Sequence, residues 1–282
     1  TYNENLTTAG TYEFRVLVQN GTCASAYSNV VTIAVDEATV GGTLTSANTE
    51  VCINSNSGAM TLSGNVGNIV RWEKRVNGGT WQNISNTTNT YNENLTTAGT
   101  YEFRVLVQNG TCASAYSNVV TIAVDEATVG GTLTSANTEV CINSNSGVMT
   151  LSGNVGNIVR WEKRVNGGVW QNISNTTNTY NENLTTAGTY EFRVLVQNGA
   201  CASAYSNVVT IAVDEATVGG TLTSANTEVC INSNSGVMTL SGNVGNIVRW
   251  EKRVNGGVWQ NISNTTNTYN ENLTTAGTYE FR

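Results

Sequence analysis

Cysteine is the residue type with which this chain could most readily do covalent chemistry. Its six cysteines form two series that each advance by 89 residues: Cys23, Cys112 and Cys201, and Cys52, Cys141 and Cys230. None stands in a CxxC pair, which argues against a zinc site. Paired cysteines favour disulfides formed in an oxidising, extracellular compartment. The period allows pairs that are 29 (Cys23–Cys52), 60 (Cys52–Cys112) or 149 (Cys52–Cys201) residues apart.

Acid–base catalysis is the other chemistry to consider. The chain has no histidine, the commonest general base and metal ligand. The remaining candidates are carboxylates and a lysine, represented by Asp36, Glu50, Glu73, Lys74 and Glu93. Paired carboxylates can transfer protons, but Glu73 and Glu102 alternate with arginines, which favours cross-strand ion pairs. The sequence therefore predicts no enzyme, no catalytic residue and no cofactor.

Two special sites fit the residues less well than ordinary structural roles. Asp125-Glu126 is one short acidic pair without the Asp-rich loop that holds calcium, so it is predicted to be a solvated linker and no metal is expected. Lys74 alternates with Trp72 and could point inward to form an isopeptide bond with Asn or Asp. An amine that extends to solvent is the commoner arrangement.

These residues must be positioned by a repeated unit. The phrase TYNENLTTAGTYEFR begins at Thr1, Thr90, Thr179 and Thr268, and a fixed long period predicts an array of like modules. The predicted boundaries are part of a repeat at 1–37, complete repeats at 38–126 and 127–215, and part of a repeat at 216–282. Neither part is expected to close a core alone. The chain is therefore expected to be an excerpt of a repetitive fibre, and an intact mass near 30 kDa would contradict this expectation.

Charge and hydropathy exclude several partners. The net charge is −7 and only 12% of residues are charged. Nucleic acids and anionic membranes need basic stripes, which are absent. No apolar run is long enough for membrane insertion.

Alternating apolar residues predict an all-β fold. In the repeat at 38–126, turn signals separate short β-branched segments. Strands are predicted at Gly42–Ser46, around Met60 and Leu62, and at Ile69–Val76 with Val70 and Trp72 inward. Asn77-Gly78-Gly79 predicts a hairpin turn. Later strands present Tyr101, Phe103, Val105 and Val107, and then Val120, Ile122 and Val124.

The apolar signature resembles a known fold. Trp72 and Leu95-x-x-Ala98-Gly99-x-Tyr101-x-Phe103 resemble the core tryptophan and tyrosine corner of immunoglobulin-like domains. Phe103 and Leu62 stand where that fold usually has its two cysteines, so an apolar contact is expected there. The motif order GGTLTS, EVC, MTLSG, IVRWEKRVNGG, TYEFRVLVQNG and SNVVTIAV is similar to the tandem repeats of giant surface proteins exported by the type IX secretion system of Bacteroidota, among them the adhesins of gliding flavobacteria.

The resemblance implies tandem immunoglobulin-like β-sandwiches arranged head to tail as a rod, and that topology separates the cysteine pairings. It places Cys52 and Cys112 at opposite ends of one module, roughly 25 Å apart, whereas a disulfide needs Cα atoms within about 7 Å. It brings Cys52 of one module to Cys201 of the next, so the inter-module pair Cys52–Cys201 is preferred. The within-module pairs Cys52–Cys112 and Cys141–Cys201 remain the alternative, and free thiols or pairs 29 residues apart are less favoured.

One side of each module could carry contacts. Trp81, Trp170 and Trp259, together with Leu106, are candidates for a solvent-facing apolar row repeated at every period. Such a row would contact another filament or a surface.

The leading hypothesis is a structural stalk of a very long adhesin filament on a bacterial cell surface, which gives reach and strength for attachment. Its partners would be neighbouring repeats of the same chain and a substratum or surface polysaccharide. By resemblance they would include the envelope machinery for secretion and gliding. The alternatives are a binding module that recognises polysaccharide or a host protein on each copy, and a surface-layer protein.

Overall fold

The computed structural model describes residues 1–282 and is all-β, which confirms the predicted fold class. The first part of the chain contains β1 (Gly10–Phe14), β2 (Leu17–Val18), β3 (Ala26–Tyr27) and β4 (Val31–Val35). The first complete repeat contains β5 (Thr43–Ser46), β6 (Glu50–Cys52), β7 (Ser55–Asn56), β8 (Met60–Ser63), β9 (Asn68–Val76), β10 (Gln82–Ile84), β11 (Thr90–Tyr91), β12 (Asn94–Leu95), β13 (Gly99–Gln108), β14 (Ala115–Tyr116) and β15 (Val120–Asp125).

The second complete repeat has the same strands one period on. They are β16 (Thr132–Ser135), β17 (Glu139–Cys141), β18 (Ser144–Asn145), β19 (Met149–Ser152), β20 (Asn157–Val165), β21 (Gln171–Ile173), β22 (Thr179–Tyr180), β23 (Asn183–Leu184), β24 (Gly188–Gln197), β25 (Ala204–Tyr205) and β26 (Val209–Asp214). The last part contains β27 (Thr221–Ser224), β28 (Ser233–Asn234), β29 (Met238–Ser241), β30 (Trp250–Val254), β31 (Gln260–Ile262), β32 (Thr268–Tyr269), β33 (Asn272–Leu273) and β34 (Tyr279–Phe281). No helix in the structure is long and apolar enough to cross a membrane.

Each complete repeat is a sandwich of two main sheets, with a separate short pair of strands, β7 with β12 and β18 with β23. In the first, the larger sheet has the order β10-β9-β13-β15-β6, with β14 also on β13, and the smaller sheet has the order β11-β8-β5. β13 is antiparallel to β9 and β15, whereas β6 joins β15 in parallel. The parallel pairing carries Cys52 to the end of the repeat, because Cys52 lies opposite Asp125.

The two main sheets pack against each other through the apolar residues of the sequence signature. Leu62, Trp72 and Phe103 are buried in one cluster of twelve residues, and the second complete repeat has a matching cluster of eleven. Leu62 and Phe103 therefore take an apolar contact in place of the usual disulfide. The hydroxyl of Tyr101 accepts a hydrogen bond from the backbone N–H of Thr97 at 3.3 Å, as a tyrosine corner does.

The predicted hairpin between β9 and β10 is present. Asn77 and Gly78 have φ angles of 51° and 69°, the combination that a type I′ turn requires. The turn is closed by a hydrogen bond from Gly79 N–H to the Val76 carbonyl at 3.0 Å.

Two sequence predictions are wrong, for different reasons. Val70 is 41% exposed and not inward, and Leu106 is 7% exposed and not solvent-facing. The register between β9 and β13 shifts between Leu106 and Val107, so Val70 is the extra residue of a β-bulge. Leu106 stays on the outer side of β13, between Arg71 and Tyr116 on the neighbouring strands, and is nevertheless buried there.

Candidate functional site: the junction between repeats

The junction begins with the last residues of the first complete repeat. Asp125 ends β15, and its carbonyl accepts a hydrogen bond from Ile53 N–H at 2.9 Å. This contact and the parallel register fix Cys52 beside the point where the chain leaves the repeat. The place of Cys52 is therefore set by pairing within its own repeat.

The other side of the junction is the turn that follows β24 in the next repeat. Its residues 198–201 contact residues 125–128, and we call this set of contacts the clasp. Asn198 donates from its backbone N–H to Thr128 Oγ1 at 3.0 Å and from its side chain to the Glu126 carbonyl at 2.9 Å. The backbone N–H of Ala200 donates to the carboxylate of Asp125 at 2.8 Å.

Glycine suits the centre of the clasp. Gly199 has a φ of 44°, and a Cβ atom at this position would overlap with the carboxylate of Asp125. A larger residue here would be strained at this φ and would push the carboxylate away from the turn. Asp125-Glu126 is a largely exposed linker, and in addition both residues accept hydrogen bonds from the next repeat.

The two repeats are joined covalently at the clasp. Cys52 and Cys201 form a disulfide with their Cα atoms 4.7 Å apart and a sequence separation of 149. This is the inter-module pairing. The within-module alternative of Cys52–Cys112 and Cys141–Cys201 is not formed, because the parallel β6–β15 pairing holds Cys52 at the exit of its repeat, whereas Cys112 lies over Glu37 at the entry.

The same clasp forms at the preceding junction without a disulfide. Asn109 contacts Thr39 and Glu37 with the same 3.0 and 2.9 Å hydrogen bonds, and Thr111 N–H donates to Asp36 at 3.2 Å. The thiol of Cys112 lies 3.3 Å from the Glu37 carbonyl. The clasp therefore depends on hydrogen bonds that form with or without the covalent bond.

The charged side chains of each repeat form a separate network on the outer face of the larger sheet. Glu73 is buried, with Arg71 and Arg104 each 2.7 Å from one of its carboxylate oxygens. Burial acts to raise the pKa of Glu73, but the hydrogen bonds from Arg104 and Arg71 prevail and lower it from its usual value. Arg75 pairs with Glu102 at 2.7 Å on the neighbouring strand. The predicted cross-strand ion pairs are confirmed.

The tryptophans lie within this network. The guanidinium groups of Arg104 and Arg75 are centred 4.1 and 4.7 Å from the Trp81 ring, distances at which cation–π attraction operates. Trp170 and Trp259 have the same two contacts in their repeats. The three tryptophans are half-buried, so the candidate contact row consists of indole rings that each have two guanidinium groups against them.

Lys74 and Glu93 form an ion pair on the inward side of β9. The two charged groups are 2.7 Å apart, and the hydroxyl of Tyr91 donates to Glu93 at 3.0 Å. Burial, the charge of Glu93 and this hydrogen bond raise the pKa of Tyr91 to about 12. The amine of Lys74 is thus ion-paired with a glutamate and does not contact the Asn or Asp side chain that an isopeptide bond needs.

Comparison with known proteins places the repeat in a family. Residues 40–126, 129–215 and 218–282 match the family described as "Domain of unknown function (DUF8696)". No curated protein matches the chain significantly.

Among solved structures, the chain is similar to chicken CNTN1 FN1-FN3 domains, with 14% identity, 87% of this chain and 92% of that chain covered, and a TM-score of 0.32. It is also similar to fibronectin(III)-like modules of Clostridium thermocellum CbhA, with 16% identity over 61% of this chain and 94% of that chain and a TM-score of 0.31. A third similar structure is that of murine CEACAM1b, with 12% identity over 61% of this chain and 98% of that chain and a TM-score of 0.35.

Proposed function

This chain belongs to the DUF8696 family, and from that premise we propose that its tandem repeats form the structural stalk of a long extracellular filament. Immunoglobulin-like repeats in tandem serve as structural or binding modules. The proposal takes the structural role, in which each repeat adds length and each junction transmits tension to the next.

The observation that carries the proposal is the covalent junction. A disulfide joins two complete repeats at the place where the clasp already holds them. A binding module needs no covalent bond to its neighbour, because its ligand site lies within one repeat. A stalk under tension gains directly, since the bond carries load from one repeat to the next without extending the residues between the two cysteines.

The disulfide also supports a location outside the cell. Stable disulfides form in oxidising compartments and are rare in the cytosol. The similarity of the repeat to surface proteins of Bacteroidota supports a place on the bacterial surface, with attachment and gliding as the processes served and the secretion and gliding machinery of the envelope as partners.

Electron microscopy of cells labelled with an antibody against the purified repeats tests the proposal. We expect label on fibres that extend from the cell surface and that lengthen when repeats are inserted into the gene. Label confined to the cytoplasm, or to a two-dimensional lattice on the cell wall, would refute the stalk.

The recurring stack of Trp81, Arg75 and Arg104 favours one rival, in which each repeat binds a polysaccharide or a protein on this face. A glycan array on the oxidised chain separates the two functions. The matched control carries Trp81→Ala, Trp170→Ala and Trp259→Ala. Binding that disappears in the control would establish the rival, whereas equal and negligible signals support the stalk.

A further inference from the structure

The charged side chains of each complete repeat are separated into two regions. A repeat has four basic and six acidic side chains, which leaves a net charge of −2. All three of its arginines lie on the outer face of the larger sheet, where only two carboxylates accompany them, so this face has a net charge of +1. We call this region the arginine face. Its charged members in the first complete repeat are Arg71, Glu73, Arg75, Glu102 and Arg104.

The excess of negative charge lies at the junction. Lys74 and Glu93 pair with each other and contribute no net charge. The last three carboxylates are at the exit of the repeat, where β6 lies beside β15, and we call them the collar: Glu50, Asp125 and Glu126. The second complete repeat has the same arrangement one period on. Its collar is Glu139, Asp214 and Glu215.

The arginines of the arginine face are held in fixed positions. Arg71 and Arg104 each lie 2.7 Å from a carboxylate oxygen of Glu73, and the guanidinium of Arg104 is centred 4.1 Å from the ring of Trp81 and 3.8 Å from that of Tyr116. Both arginines direct their Nε and Nη2 atoms to Glu73, so the N–H groups of Nη1 remain for a partner. Side chains that are fixed before binding lose less conformational entropy when a partner binds.

The same face also exposes apolar side chains. Val70, which the β-bulge turns outward, is 41% exposed, and Tyr116 is 43% exposed. Their counterparts Val159 and Tyr205 have the same exposed fractions, 41% and 43%. Tyrosine, tryptophan and arginine are the side chains that contribute most to the binding energy of protein interfaces. The composition of the arginine face is therefore that of a protein-binding surface.

The collar is available to a partner although the clasp lies beside it. The ion pairs of the first complete repeat all lie elsewhere. Glu126 contributes to the clasp through its backbone carbonyl, and Glu50 lies on β6 at the edge of the larger sheet. Both side chains are exposed, whereas Asp125 uses its carboxylate within the clasp. The carboxylates of Glu50 and Glu126 can therefore accept hydrogen bonds from another molecule.

We propose that the arginine faces of one copy of this chain bind the collars of a second copy, so that copies associate side by side. The two regions are complementary, since a face of net charge +1 meets a collar of three carboxylates. Both recur with the period of 89 residues, so an offset that matches one face with one collar matches the others. Contacts that are individually weak then act together. The proposal does not depend on the stalk function, because these charges belong to every complete repeat.

A second copy fits the arginine face better than an anionic polymer does. The chain has a net charge of −7, which repels a polyanion, and a face with a single net positive charge offers little compensation. A second copy carries the same net charge, but it has both signs in the matching pattern. At about 0.1 M salt, charges more than about 10 Å apart are screened, so the facing regions decide the interaction.

Sedimentation of the full, oxidised chain tests the contact. At about 0.1 M salt the average mass should exceed 29.9 kDa and rise with protein concentration. At about 1 M salt, where charges are screened beyond about 3 Å, it should fall to the mass of one copy. Association that does not weaken at high salt would overturn the proposal, and so would the mass of one copy at every concentration.

Two variants change the sign of charge of one region each. The face variant places carboxylates at exposed positions opposite Glu73, Glu102 and their counterparts: Asn83→Asp, Thr121→Asp, Asn172→Asp and Thr210→Asp. The collar variant replaces exposed carboxylates: Glu50→Lys, Glu126→Lys, Glu139→Lys and Glu215→Lys. Each variant alone should associate at least about tenfold more weakly than the unmodified chain, because its faces and collars then have the same sign of charge.

A mixture of the two variants should restore association, since the negative faces of one then meet the positive collars of the other. Misfolding cannot produce this rescue. The control Thr43→Asp, Thr45→Asp, Thr132→Asp and Thr134→Asp adds the same charge to exposed positions of the smaller sheet and should associate more strongly than the face variant. A mixture that stays at the mass of one copy, or a face variant that associates as this control does, would overturn the proposal.

Discussion

Under tension, the disulfide between Cys52 and Cys201 should prevent about half of the chain from extending. When the chain is pulled at Thr1 and Arg282, the load is transmitted along the chain to Cys52, through the disulfide bond to Cys201, and along the chain to Arg282. The residues between the two cysteines then form a loop that cannot lengthen. The sequence separation is 149 residues, and an extended chain spans at most about 3.6 Å per residue. The hidden length is therefore about 540 Å, against only 4.7 Å between the two Cα atoms.

Optical tweezers with handles at the two termini measure this length directly. The fully reduced chain of 282 residues should extend to about 1,000 Å, whereas the oxidised chain should stop near 480 Å. The double variant Cys52→Ser/Cys201→Ser should behave as the reduced chain in the presence of oxidant. Cys112→Ser, which removes a free thiol, is the matched control and should leave the oxidised extension unchanged. If the oxidised chain releases the full length, the load does not pass through this bond and the reasoning fails.

Three further predictions concern the clasp, the ion pairs and the core. Gly199→Ala should destabilise the junction by about 1–3 kcal/mol, because it combines strain at positive φ with overlap at Asp125. Hydrogen exchange at the backbone N–H of Ala200 should then become faster. The control Gly21→Ala changes a turn with no such contact and should leave the exchange at Ala200 unchanged. The pKa of Glu73 is lowered in the folded state, so its ionised form stabilises the repeat above the ordinary carboxylate range, and this stability is lost as the pH falls through the folded-state pKa. Lowering the pH below about 4.5 should therefore lower the thermal unfolding temperature of the unmodified repeat more than that of Glu73→Gln. An equal pH response would contradict the role of this carboxylate. Phe103→Ala should lower the free energy of unfolding of the repeat at 38–126 alone by about 3–5 kcal/mol. Calorimetry should then show two transitions, with the one from the repeat that holds Phe192 near the original temperature. A shift of both repeats together would argue against independent cores.

Local sequence patterns were sufficient to predict the sandwich and its core. The alternation around Trp72 and Phe103 and the turn at Asn77-Gly78 are each encoded within a few residues, so they are present as predicted. The bulge at Val70 was not predictable, because it depends on the register between strands more than thirty residues apart. Strict alternation assigns Val70 to the wrong side for that reason.

The junction could be predicted only in part. The distance between the two ends of a module favours the pair Cys52–Cys201, since the topology fixes which cysteines lie at each end. Local sequence does not indicate the hydrogen bonds of the clasp, because Asn198 and Glu126 are 72 residues apart and belong to different repeats. A sequence signal does exist, since the turn Asn198-Gly199 and the pair Asp125-Glu126 recur at every period. Local sequence does not indicate the contacts of Trp81 with Arg75 and Arg104, because those arginines lie on neighbouring strands.

The composition of the clasp has a consequence for how such an array can evolve. The three positions that vary between repeats, represented by Val148, Val169 and Ala200, are all exposed. The one within the clasp contacts Asp125 through its backbone N–H, so threonine and alanine serve equally there. Every repeat therefore presents the same joint to its neighbour, and any repeat can follow any other. Unequal recombination between near-identical repeats can lengthen or shorten the gene by whole units while every joint in the product remains intact.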